Sequence, residues 1–138
     1  MHKIGLIDYG MGNIHSVTKS LESLGEEIIL IKNFNESNLC KAIILPVVGA
    51  FDPAMNNLKN TNLIADLKNW IKSGKSFLGI CLGLQLLFES SDEGKVQGLG
   101  ILKEKYKKYP IFLTKESHTW VGANFYLRKK ILYLGLKN

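Results

Sequence analysis

The sequence predicts an α/β fold: a parallel sheet with helices on both faces. Three observations carry this expectation. Short, strongly apolar runs alternate with stretches of helical periodicity through the first hundred residues. The runs are continuously apolar instead of alternating, as in parallel strands buried on both faces. The first run ends in an acid and a glycine-rich turn, Gly10-Met11-Gly12-Asn13, the punctuation of a strand feeding a helix.

Lys3 to Asp8 (KIGLID) is the first predicted strand. Ile14, Val17, Leu21 and Leu24 then recur at helical spacing, and Gly25 is placed to terminate that helix. Glu27 to Lys32 (EIILIK) and Ala42 to Leu45 (AIIL) are β-branched runs too short for buried helices, so both are read as strands. Asn62 to Ser73 puts Leu63, Leu67, Trp70 and Ile71 on one helical face and stops at Gly74; Phe77 to Ile80 follows as another buried strand. Sites in such sheets lie at the carboxyl ends of the strands.

At 138 residues and 46% hydrophobic content, the chain has the length for one core and one domain. It has no apolar run of membrane-spanning length, and its start lacks the apolar stretch of a signal peptide, so a cytoplasmic protein with no membrane association is expected. Cys40 and Cys81 offer neither a disulfide framework nor metal-ligand spacing. The net charge of +6 is unevenly spread: residues 1–103 hold ten lysines against ten acids, and the entire excess lies in residues 104–138. The chain changes character near Lys103.

Cys81 falls at a predicted strand end, inside Gly79-Ile80-Cys81-Leu82-Gly83. This G-x-C-x-G arrangement is that of a nucleophile elbow, whose glycines permit a tight strand-to-helix turn that projects the central side chain. A helix starting there would favour the thiolate. The structural alternative is a buried cysteine beside two packing glycines.

Four longer blocks go beyond the bare motif: IDYGMGNIHSV from Ile7, LPVVGAF from Leu45, SGKSFLGICLGLQLLFESS from Ser73 and GLGILK from Gly98. Over residues 3–103 the chain resembles the glutaminase subunits of imidazole glycerol phosphate synthases, class I glutamine amidotransferases of histidine biosynthesis. The resemblance implies a flavodoxin-like class I amidotransferase fold, incomplete at the C-terminus. It implies that Cys81 attacks the side-chain amide of glutamine, releasing ammonia and leaving a thioester that water hydrolyses. The amides of Leu82 and of Val48, in the Pro46-Val47-Val48-Gly49 segment, would donate to the oxyanion. Gln85 and Gly49 would help hold glutamine. Asp8, Tyr9, Gly10, Met11, Gly12 and Asn13 would face the partner, a synthase (cyclase) subunit with a (βα)8 barrel that receives the ammonia in a heterodimer. No metal or organic cofactor is implied.

Two departures from the family pattern stand out. The oxyanion segment reads P-G-V-G in the family, and here Val47 replaces the first glycine. A peptide that must rotate to aim its amide needs glycine's freedom, so a damaged oxyanion site is expected; the alternative is a valine tolerated in an extended strand end. Secondly, the family's triad histidine and glutamate, two residues apart near the end of a longer chain, have no counterpart. His118 lies in no H-x-E pattern and follows Cys81 too closely to be that base. His2 and His15 are read as ordinary.

The stretch around His118 has another explanation. If R-I-P-H-M-G-W-S-Q-L, a family-like segment, is encoded AGA ATC CCA CAC ATG GGT TGG AGC CAA CTT, reading one base later gives E-S-H-T-W-V-G-A-N and then Phe, the sequence of residues 116–125. Met-Gly read one base on must give Trp, and Trp must give Gly, whatever codons are used; Trp120 and Gly122 stand where this requires. One base lost from a glycine codon after Lys103 would start the shift, and A-rich codons out of frame would yield the lysine excess. Residues 1–103 are thus expected to be the N-terminal part of an amidotransferase domain, and residues 104–138 an out-of-frame tail, not a domain. Apolar faces meant for further strands and helices would then be exposed or loosely covered by that tail, and the chain catalytically impaired. Alternative readings are a non-catalytic partner-binding fragment, a hydrolase borrowing a base from another chain, or a basic nucleic-acid binder; no nucleic-acid motif supports the last.

Overall fold

The computed structural model describes the backbone of residues 3–10, 13–106, 122–128 and 131–137, and the side chains of residues 3–10 and 13–103. Met11, Gly12, His2 and His118 lie outside the described residues.

The predicted strands form with small changes at their ends: β1 Lys3–Ile7, β2 Glu27–Ile31, β3 Ala42–Val47 and β4 Ser76–Cys81. They lie in a six-stranded sheet that also holds β7 (Gly122–Arg128) and β8 (Ile131–Lys137), in the order β2-β1-β3-β4-β8-β7. Every pairing is parallel except that of β7 with β8. The edge of β4 is lined by β8, from the segment that the sequence reading expects to be out of frame. A second, two-stranded sheet pairs β5 (Phe88–Ser91) with β6 (Leu102–Tyr106).

Helix α1 (Ile14–Ser23) begins at Asn13, whose Oδ1 accepts the Ser16 amide at 3.3 Å. Gly25, at φ 85°, closes it as expected. Leu24, expected on its apolar face, is instead exposed at the C-cap. Between β2 and β3 stands a 3-10 helix over Phe34–Leu39, opened by a capping box between Asn33 and Glu36. Helix α2 (Phe51–Lys59) is absent from the sequence reading, although Phe51, Ala54, Met55 and Leu58 keep helical spacing and are all buried. The helix expected from Asn62 starts later, as α3 (Ile64–Lys72). Asn62 sits at φ 58°, in the left-handed region that asparagine tolerates, and Thr61 Oγ1 accepts the Leu63 amide at 3.3 Å.

Strand alternation sorts the core onto two faces. Ile7, Ile43, Leu45, Val47 and Phe77 meet α2 and α3 in the larger cluster. Ile4, Leu6 and Ile44 form the smaller one, against which Ile14, Val17 and Leu21 of α1 and Leu78 and Ile80 of β4 are only partly buried. Helices thus cover both faces, as predicted, but unequally. Among the described residues no helix is long and apolar enough to cross a membrane.

Leu58 is completely buried where α2 meets the larger cluster. Leu58→Ala is expected to destabilise the fold by about 2–5 kcal/mol through lost transfer energy and a residual cavity, read as a lower urea midpoint.

Candidate active site

Cys81 is the last residue of β4, and its backbone turns sharply: φ is 56° and ψ −121°. That pair is the mirror image of extended backbone, a region open to glycine and strained for any residue with a Cβ. Only one other described non-glycine residue, Asn62, has a positive φ. The glycines on either side are sterically required. A Cβ at Gly79 would come within 2.9 Å of the Gly83 carbonyl group, and one at Gly83 would fall on the Leu45 carbonyl oxygen in β3. The turn is tight because the chain packs back against both its own strand and the neighbouring one. This is the nucleophile-elbow geometry that G-x-C-x-G predicts, and the Cys81 side chain is half-buried at its apex.

A helix does begin after the elbow, as expected. Helix α4 spans only Leu82–Gln85, a single turn, before the chain leaves for β5. So short an array of peptide dipoles gives little field, and the helix contribution to thiolate formation expected from the sequence is correspondingly small. Leu82 and Leu84 are buried and anchor the turn.

The oxyanion segment lies beside the elbow because Val47 pairs with Cys81 in the parallel register of β3 and β4, which separates the strands by about 4.8 Å. Val47 is fully buried within β3, in the extended conformation that suits valine, so the residue itself shows no backbone strain. The positive φ of this segment belongs to Gly49, at 102°. Val48, between them, is 49% exposed. The Leu82 and Val48 amides thus sit at the carboxyl ends of adjacent strands. Gln85 lies one turn past Cys81, and its Oε1 is buried with no hydrogen-bond partner among the described residues. An orphaned acceptor of this kind is costly and suits a ligand donor.

Asp8, Tyr9 and Gly10 leave the carboxyl end of β1, at the same side of the sheet. Asp8 Oδ1 accepts the Gly10 amide at 3.2 Å, and its Oδ2 lies 3.7 Å from Lys32 Nζ. Asp8, Tyr9, Gly10 and Lys32 line an open cleft of about 540 Å³ together with Asn57, Asn60 and Thr61 of α2 and the turn after it. Tyr9 is buried, and its hydroxyl has no partner among the described residues; burial pushes its pKa up to about 12. Asn13 has a local duty as the cap of α1. His15, the histidine whose side chain is described, is exposed on α1.

One contact is passed over by the sequence reading. The Asp52 carboxylate, in the first turn of α2, accepts backbone amides from Lys95 and Val96. The acid-proline pair Asp52-Pro53 after an apolar strand would have signalled a helix start.

Because a glycine relieves the strain at position 81, Cys81→Gly is expected to raise stability by about 1 kcal/mol. Gly83→Ala should lower it by about 1–3 kcal/mol through overpacking against Leu45. Chemical denaturation of the two variants beside the parent chain checks both signs.

Residues 5–131 match the family described as glutamine amidotransferase class-I. The imidazole glycerol phosphate synthase subunit HisH of Prochlorococcus marinus (strain MIT 9312) is 88% identical over 110 residues, which cover 80% of this chain and 54% of that protein. The subunit of the same name from Prochlorococcus marinus subsp. pastoris is 76% identical over 110 residues, with the same coverage. The chain therefore spans about half the length of the curated relatives it matches. A solved glutamine amidotransferase shares the fold, with a TM-score of 0.71 at 16% identity, over 97% of this chain and 89% of that one. With the elbow in place and the family match running through it, the chain belongs to the class-I glutamine amidotransferase family.

Proposed function

We propose that residues 1–103 are the N-terminal part of the glutaminase subunit of an imidazole glycerol phosphate synthase, acting in the cytoplasm in histidine biosynthesis. The observation that carries this reading is the backbone of Cys81, held at φ 56° beside the Val47–Gly49 strand end. A cysteine kept in a glycine conformation at a strand end is what acyl transfer needs and what a packing cysteine does not. The relatives' names support the pathway.

In this reading the Cys81 thiolate attacks the glutamine side-chain carbon, and the amides of Leu82 and Val48 receive the oxyanion. Ammonia leaves with a proton, and water resolves the thioester to glutamate. Gln85, with Gly49, positions the substrate; the orphaned Gln85 Oε1 supplies an acceptor for it. The segment Asp8, Tyr9, Gly10, Met11, Gly12 and Asn13 faces the synthase subunit, a (βα)8 cyclase that takes up the ammonia in a heterodimer. Val47, unstrained as it stands, restricts the peptide rotation that would aim the Val48 amide.

Residues 104–138 are, in the same proposal, an out-of-frame tail. The matches to curated relatives stop at 107–110 aligned residues, although the family match extends to residue 131. The half-buried Leu78 and Ile80 fit a sheet face whose natural cover is missing. The one histidine with a described side chain, His15, is exposed on α1, so the departing ammonia has no imidazole donor among the described side chains. Triad members act as a unit, and loss of the base alone removes most of the rate.

The expected outcome is therefore glutamate release no faster than from Cys81→Ala, measured with the purified synthase subunit and its nucleotide ligand present. Turnover abolished only by Cys81→Ala would show instead a base borrowed from another chain, while partner binding without turnover would favour a non-catalytic fragment. On the DNA, the alternate frame past Lys103 is expected to encode a His and a Glu two residues apart; an intact frame at that junction, with no family-like continuation in either alternate phase, would overturn the out-of-frame assignment.

A further inference from the structure

We propose that Asp52 is a positioning residue for glutamine, latching the loop of residues 91–97 against the mouth of the Cys81 site. The inference rests on the glutaminase reading above. It starts from an unusual convergence: two consecutive backbone amides, 43 and 44 residues away in sequence, donate to one carboxylate. Lys95 N–H reaches Asp52 Oδ1 at 2.8 Å and Oδ2 at 3.0 Å, and Val96 N–H reaches Oδ1 at 3.0 Å. Bonds to an ionised acceptor are roughly twice as strong as neutral ones. The carboxylate also sits in the first turn of the nine-residue α2, where the helix field favours a negative charge.

Both ends of this latch connect to the site through short stretches of chain. Asp52 stands five residues after Val47, the register partner of Cys81, and follows directly on the fully buried Phe51. On the other side, the loop is the continuation of the elbow itself, through α4 and β5. Its start is fixed by buried Ser91, whose Oγ accepts the Glu93 amide at 3.1 Å. Its far end is fixed by Leu99 N–H donating to the Leu86 carbonyl at 2.7 Å. Gly94 is close enough to α2 that a Cβ there would strike both Asp52 Oδ1 and the Phe51 ring. The chain leaving the nucleophile is thus folded back onto the helix that leaves the oxyanion strand, and Asp52 is the clasp between them. Gln85, with its orphaned acceptor, lies on the short path between the elbow and this loop.

The test uses the full chain and two reagents for Cys81, read by intact mass: a chloroketone analogue of L-glutamine, which must bind before alkylating, and iodoacetamide, which need not. With the parent chain, labelling by the analogue should saturate. In Asp52→Asn the half-saturating concentration should rise about tenfold, as expected for losing a charge-assisted contact, while the maximal labelling rate and the iodoacetamide rate change less than twofold. An unchanged half-saturating concentration in a folded Asp52→Asn would overturn the latch and leave the glutaminase reading standing. Labelling of the parent that never saturates would overturn that reading and the latch with it. Hydrogen exchange of the parent provides a readout that needs no variant: L-glutamine should protect the peptide covering residues 91–97, and exchange there that ignores glutamine, in a chain that saturates with the analogue, would also overturn the proposal.

Discussion

The site depends on one backbone constraint, the positive φ of Cys81. A Cβ-bearing residue in glycine's territory costs on the order of 1–3 kcal/mol and persists only where its surroundings over-determine it. Here they do. Gly79 and Gly83 allow three backbone segments to meet at distances no side chain would permit, and Leu45 of β3 forms the floor of that contact. Leu82, Leu84, Leu86 and Leu87 sink into the core on the far side of the turn. The strain at one residue is held by apolar burial at several others.

The sheet topology then gathers the remaining parts. Parallel strands in the order β2-β1-β3-β4 point their carboxyl ends one way, so the segments after β1, β3 and β4 share one rim. Asp8–Gly10, the Val48–Gly49 corner and the Cys81 elbow come from far apart in sequence and arrive there without any of them having to reach. A register fixed by buried side chains cannot slip by one residue without turning Ile43, Leu45 and Val47 out of the core. Register is therefore also what puts Val47 opposite Cys81.

The four parallel strands could be read directly from the sequence, because short, continuously apolar runs bounded by turns have few alternatives. The elbow was suggested by two glycines bracketing a cysteine at a strand end, although packing glycines beside a buried cysteine explain that motif equally well; the longer block Ser73–Ser91 separated the two readings. Helix α2, absent from the sequence reading, keeps plain helical periodicity in Phe51, Ala54, Met55 and Leu58, but it begins at the last residue of the LPVVGAF block and has no strand signal of its own to set it apart. The one-turn length of α4 was not legible. Leu82 to Phe88 is apolar enough for a longer helix, and only the pairing of β5 with β6, a tertiary event, draws the chain away. The Asp52 contact was equally hidden, because a carboxylate bonded to backbone amides leaves no signature in the residues that donate them.

The two faces of the sheet bear differently on the chemistry. The elbow's strain is opposed by the larger cluster, where α2 and α3 bury Leu45, Val47 and Phe77. The smaller cluster has α1 alone, none of whose residues is fully buried, and Leu78 and Ile80 stay partly open beside it. Stability at the nucleophile is thus supplied by the well-covered face, and poor cover on the other does not by itself release the turn. Geometry and proton transfer are consequently separable in this chain. The turn at Cys81 is posed by residues 42–102, and no histidine lies among them. Under the proposed glutaminase reading, the folded elbow accounts for descent and geometry, and the rate rests on a base that this packing does not contain.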